Sequence, residues 1–129
     1  MQVLNEDVPW GVVRIEAVGA GGDIPEIDPV ENPVMANSGC IVAGVIHPDI
    51  GTVEIRVLRG EESLQGQLVF DGVIDTPQRS VVIGDLVGED FEHIVPVLGA
   101  RTAVKLAMDD PEEAQVLEIS FLRADAEGG

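Results

Sequence analysis

The chain has 129 residues, of which 24 are Asp or Glu and 7 are Lys or Arg, giving a formal net charge of −17 at pH 7. That length predicts one domain spanning residues 1–129, with a core large enough to fold without staples, and the single cysteine, Cys40, has no intrachain partner. A surface this negative is repelled by phosphate, which argues against nucleic acid and anionic membranes as partners and leaves basic proteins and cations.

The first seven residues, Met1-Gln2-Val3-Leu4-Asn5-Glu6-Asp7, lack the positive charge and apolar core of a signal peptide. No uncharged apolar stretch approaches the length that spans a bilayer. Both observations lead to the expectation of a soluble, cytoplasmic protein. Trp10, between Pro9 and Gly11, is expected as a plug at one end of the fold rather than as an exposed recognition residue.

Residues 12–18 alternate, with Val13, Ile15 and Ala17 on one face and Arg14 and Glu16 on the other, which predicts a half-buried strand. An irregular loop is expected over 19–38, because Pro25, Pro29 and Pro33 forbid a regular helix. The run 40–46 is apolar on both faces, as in a covered central strand, and it carries Cys40 as a buried, inert thiol. After the turn at His47-Pro48-Asp49-Ile50-Gly51, residues 52–59 place Val53, Ile55 and Val57 inward. The runs 40–46 and 52–59 are read as a hairpin.

Residues 64–74 continue in extended form, with Gly66 and Gly72 marking bulges or close backbone approaches. Further strands are predicted over 80–87, 91–98, 101–107 and 115–122, the last with Leu117, Ile119 and Phe121 on one face. Helix signals are confined to Asp109-Asp110-Pro111-Glu112-Glu113-Ala114, at most one short helical turn near 110–115. The tail 124–129 is expected to fray. Seven to eight short strands separated by Gly and Pro turns predict an all-β antiparallel β-sandwich, with a closed barrel as the competing architecture. Its core is mostly Val, Ile and Leu, since Trp10 and three Phe supply all the aromatic bulk.

The candidate chemistries fail one by one. Gly19, Gly21 and Gly22 follow a strand as a dinucleotide loop would, but Ile24 stands where the third glycine belongs and Pro25 blocks the receiving helix. His47, His93 and Cys40 match no metal-ligand spacing, so no metal and no cofactor is expected. No nucleophile has a positioned base, and an enzyme is not expected.

Carboxylates carry the better case. They cluster at Asp23, Glu26, Asp28 and Glu31, at Asp85, Glu89, Asp90 and Glu92, and at Asp109, Asp110, Glu112 and Glu113. Turns collect at the two ends of a sandwich, so two clusters can converge there. The last two groups are the predicted partner-binding residues: Asp85, Glu89, Asp90, Glu92, Asp109, Asp110, Glu112 and Glu113. Such a face would steer a basic protein with strong salt dependence.

From Gly39 onward the chain resembles the small bacterial sandwich proteins similar to competence protein J, the inhibitor of a DNA-entry nuclease. The resemblance rests on Asn37-Ser38-Gly39-Cys40-Ile41-Val42, on Gly51-Thr52-Val53-Glu54-Ile55-Arg56-Val57 and on Gly99-Ala100-Arg101-Thr102-Ala103-Val104-Lys105, and covers about two thirds of the chain. Where this sequence has Ala100 and Ala103, related sequences tend to place an aromatic residue, and no inhibitory residue carries over. The resemblance implies a non-enzymatic inhibitor or immunity protein that occludes a basic nuclease or toxin. Two alternatives stand beside it: a homo-oligomeric assembly domain using the outer faces of strands such as 40–46, its acidity serving solubility alone, and a calcium-binding sandwich.

Overall fold

The computed structural model describes residues 2–19, 33–59, 62–86 and 91–124. Ten strands occur among them: β1 (Gln2–Glu6), β2 (Val12–Ala17), β3 (Val34–Ala36), β4 (Cys40–Gly44), β5 (Val53–Arg59), β6 (Gln67–Asp75), β7 (Ser80–Asp85), β8 (Glu92–Pro96), β9 (Arg101–Met108) and β10 (Val116–Arg123). They form two five-stranded sheets, ordered β1-β5-β10-β9-β6 and β3-β4-β2-β7-β8. Every pairing is antiparallel except that of β5 with β10.

Alternation creates the core. Val13, Ile15, Ile41 and Ile83 of one sheet meet Val53, Ile55, Val104, Leu106 and Ile119 of the other in one buried cluster. At about 25 cal/mol per Å², the apolar area these side chains remove from water is the main term opposing chain entropy. The sandwich is thus the predicted fold, with more strands than the seven to eight expected. The two missed strands, β1 and β3, both lie on sheet edges. β1 has no buried residue and β3 only three residues, so neither displays an inward apolar stripe. β3 falls within the stretch read as loop 19–38; residues 20–32 of that stretch and 125–129 of the tail lie outside the described residues.

The expected hairpin of 40–46 with 52–59 does not form. β4 and β5 belong to different sheets, and the chain between them crosses the end of the sandwich. Ile46, 5 % exposed, steers that crossing, its N–H donating to the Ala114 carbonyl at 3.0 Å. The stretch 110–115, for which the sequence allows at most one short helical turn, holds no helix. Asp109 Oδ1 accepts the N–H groups of Gln115 and Val116, both at 3.0 Å, and the Glu113 N–H donates to the Asp110 carbonyl at 3.1 Å, making a tight turn. The short 3-10 turn occurs instead at Pro9–Gly11.

Because β5 and β6 both run away from the same end, the chain must return between them, and the described residues 62–66 lie on the outer face of the sheet. Glu118 on β10, 2 % exposed, secures the described part of that return by accepting the N–H groups of Gln65 at 2.9 Å and Gly66 at 2.6 Å. Gly66 is needed there, since a Cβ would lie 2.6 Å from the Met108 carbonyl oxygen. Between Gly66 and Gly72 the β6–β9 register shifts at Leu68/Phe70. No helix among the described residues is long and apolar enough to cross a membrane.

On the outer face of the other sheet, Cys40, Val42 and Val12 are buried in a second, smaller cluster with Met35 and Leu86. Burial, helped by the neighbouring Glu16 carboxylate, pushes the Cys40 thiol up to about 11, against the opposing pull of Arg14. Two outcomes are expected. Native protein at neutral pH will resist thiol alkylation that goes to completion in denaturant. Above pH 9 the unfolded chain ionises this thiol while the folded one keeps its proton to about 11, so the unfolding midpoint will fall across that window and Cys40→Ala will flatten the fall.

Candidate functional site: the acidic end of the sandwich

Strand direction sorts the charged residues into two ends. At one end lie the close of β1, β4, β7 and β9 and the start of β2, β5, β6, β8 and β10. The turn 109–115 joins β9 to β10 there, and the 45–52 crossing and the Pro9–Gly11 turn lie beside it, the Val45 N–H donating to the Gly11 carbonyl at 2.8 Å. The two sheets are tied across this end by His93 Nε2 and Glu6 Oε2, 2.8 Å apart.

Described carboxylates gather here: Glu6, Asp7, Asp49, Glu92, Asp109, Asp110, Glu112 and Glu113. Arg14 and Arg56 are the cations nearest, and both are already engaged. Arg14 pairs with Glu16 and, at 2.7 Å, with Glu92, while Arg56 pairs with Glu54 and lies 3.9 Å from Glu118. By contrast Arg59, Arg79, Arg101 and Arg123 all lie at the far end, on the closing residues of β5 and β10, the opening residue of β9 and the β6–β7 turn. Among the described residues the arginines thus favour the far end, where Asp75 lies 3.7 Å from Arg101 and the Glu62 carboxylate accepts the Arg59 N–H.

Not every predicted carboxylate belongs to this surface. Asp85 does not: it is fully buried, its Oδ1 accepts the Phe91 N–H at 3.3 Å, and its own carbonyl accepts Arg14 Nε at 3.0 Å. Ending a strand inside the sandwich, its side chain serves the fold rather than a partner. Glu92 is half-exposed but committed to Arg14, whose guanidinium is accommodated because Gly84, opposite it on β7, has no side chain. Glu89 and Asp90 lie outside the described residues. Asp109, Asp110, Glu112 and Glu113 are exposed together on one turn, as expected, with Asp110 Oδ1 accepting the Glu112 N–H at 3.0 Å.

Trp10 is the residue that sequence reasoning misplaced. It is 73 % exposed, with φ +61, and Val8, fully buried, fills the core position beside it. Trp10 and Gly11 (φ +65) adopt left-handed backbone in succession, which turns the indole outward. The signal was present in Pro9-Trp10-Gly11, since a residue between proline and glycine in a tight turn faces solvent more readily than core. Trp10 borders a cavity of about 210 Å³ whose walls include Val45, His47, Pro111 and Glu112, and Ile50 nearby is 67 % exposed. An exposed aromatic edge thus stands beside Glu112, at the same end of the sandwich as these carboxylates.

The chain folds like ComJ. A crystal structure of ComJ, inhibitor of the DNA degrading activity of NucA, from Bacillus subtilis, superposes with a TM-score of 0.71 over 94 % of each chain at 8 % sequence identity. The likeness extends well beyond the two thirds of the chain on which the sequence resemblance rests, and at that identity it establishes the fold. No protein-family model matches the chain, and no curated protein sequence does.

The outer face of β4, needed for the expected assembly contact, is already covered, with Cys40 2 % and Val42 0 % exposed. Among the described residues no three His, Cys, Asp or Glu side chains come together as a metal site. Asp109 and Asp110 direct carboxylate oxygens to the backbone of their own turn.

Proposed function

We propose that this protein is a non-enzymatic binding module that occludes a basic protein, of the nuclease kind, with the acidic end of its sandwich. The observation that carries this reading is the exposed Trp10 set among Glu6, Asp7, Asp49, Asp109, Asp110, Glu112 and Glu113 at one end of the molecule. A nuclease must attract phosphate, so the rim of its active site is positive, and a carboxylate-rich surface can take the place of the phosphate backbone. Charge of this kind raises the association rate and selects the partner, while a large aromatic side chain at the centre supplies the desolvated contact that holds it. The shared fold with an inhibitor of a DNA-degrading enzyme supports the same role.

The test is DNA cleavage by NucA, and by nucleases of the source cell, with increasing amounts of the protein at low and high salt. Inhibition that weakens as salt rises is expected. Absence of inhibition for every nuclease at every salt, with the protein recovered as a homodimer, would overturn the reading.

A further inference from the structure

The walls of the Trp10 cavity come from separate segments of the chain, and backbone hydrogen bonds fix these to one another. The Val45 N–H donates to the Gly11 carbonyl at 2.8 Å, the Gly44 N–H to the Pro33 carbonyl at 2.8 Å and the Ile46 N–H to the Ala114 carbonyl at 3.0 Å. Gly11 permits this closeness, since a Cβ there would lie 2.8 Å from the Val45 carbonyl oxygen. Glu112 is positioned by its own turn, where Pro111 precedes it and Asp110 Oδ1 accepts its N–H at 3.0 Å. The cavity therefore exists before any ligand arrives, and filling it costs little ordering.

Size and chemistry select the ligand. A volume of about 210 Å³ exceeds the roughly 150 Å³ that takes up a benzene ring and falls short of the roughly 300 Å³ at which small-molecule pockets begin, so one long side chain fits. Trp10, Val12, Val45 and Pro111 offer apolar contact. Glu112 adds an exposed carboxylate that has no hydrogen-bond or ion-pair partner among the described residues, and no lysine or arginine stands in the described wall. A side chain apolar along its stem and cationic at its tip matches both halves. Arginine fits better than lysine, because a guanidinium lies flat on an indole and keeps the N–H groups of its edge free for a carboxylate. Asp49, Asp110 and Glu113, exposed at the same end, would meet cations on either side of that arginine, which favours a polypeptide over the free amino acid.

We infer that this cavity receives an arginine side chain of the partner polypeptide, its guanidinium stacked on the Trp10 indole beside the Glu112 carboxylate. This rests on the acidic end being the binding surface, and adds what the partner must present there. Trp10 is the only tryptophan and the chain has no tyrosine, so indole fluorescence reports this cavity alone. The probes are Lys-Arg-Lys, Lys-Lys-Lys and Lys-citrulline-Lys, each acetylated and amidated, with free argininamide as the fourth. Each is titrated into the full chain at physiological salt while that fluorescence is followed. A saturable change is expected, with Lys-Arg-Lys binding about threefold better than Lys-Lys-Lys and about tenfold better than either the citrulline peptide or argininamide. In Trp10→Gly, followed by backbone amide NMR, the arginine and lysine peptides should bind alike, whereas Glu112→Gln should weaken both about threefold and keep their order. Should either variant unfold, the ranking of the four probes in the native chain decides alone. A lysine peptide, citrulline peptide or argininamide that equals Lys-Arg-Lys, or no saturable change, would overturn the inference. No nuclease enters this titration, so an arginine preference without inhibition of any nuclease would sink the nuclease reading alone. Salt-sensitive inhibition without an arginine preference would sink this inference alone.

Discussion

Trp10→Gly is expected to weaken binding to the proposed nuclease partner by at least about 2 kcal/mol, some thirtyfold, while leaving the fold as stable as before or more so. The two effects have separate causes. Left-handed backbone at a bulky residue carries a penalty of roughly 1 kcal/mol that glycine does not incur, and the indole, 73 % exposed, contributes little burial in return. Strain maintained for so exposed a side chain makes sense if the side chain is used elsewhere. Isothermal titration against the nuclease and thermal unfolding of the free protein separate the two effects. A variant that loses stability and keeps its affinity would show Trp10 to be structural. The companion substitution Glu112→Gln should lower the association rate and its salt dependence, since an exposed charge beside the anchor steers more than it holds.

The second large effect is expected at Glu118. Glu118→Ala should destabilise the protein by about 2–3 kcal/mol, read from the urea midpoint at unchanged m-value. Removal of this carboxylate takes the acceptor from two N–H groups, those of Gln65 and Gly66, and detaches the return strap 62–66 from the face of β10. Arg56 keeps Glu54 as a partner, which limits the damage on that side. Glu118→Gln retains an acceptor oxygen in nearly the same place and should lose about half as much. Amide exchange at Gln65 and Gly66 should accelerate in the alanine variant well before global unfolding. Unchanged protection there would mean that the strap is held by other contacts.

How far the sequence discloses this molecule can be judged from particular residues. Val53-Ile55-Val57 and Leu117-Ile119-Phe121 alternate with the period of a pleat, and both face the core as that period dictates. β1 escapes notice because an edge strand obtains its pairing from its neighbour's backbone and need not display a buried stripe of its own. The 40–46 and 52–59 runs look like a hairpin because alternation fixes which face is buried but not which partner lies alongside. That choice is made by Ile46 reaching the carbonyl of Ala114, a residue far along the chain. For the site, clustering along the chain correctly located the exposed turn of Asp109, Asp110, Glu112 and Glu113. It failed at Asp85, where an acidic residue closes a strand inside the sandwich and accepts a backbone N–H. Side-chain type reports charge; only the three-dimensional neighbours decide whether that charge meets solvent.

The parallel pairing of β5 with β10 has a consequence for biosynthesis. β10 is the last of the described strands to leave the ribosome, yet it takes the middle position of its sheet, between β5 and β9. Until it arrives, the β1–β5 ladder and the β9–β6 ladder are two unconnected ribbons, each presenting an open edge and an apolar face. Closure of this sheet is therefore expected to wait for the synthesis of β10, with the nascent chain dependent on chaperone shielding while the gap stands open.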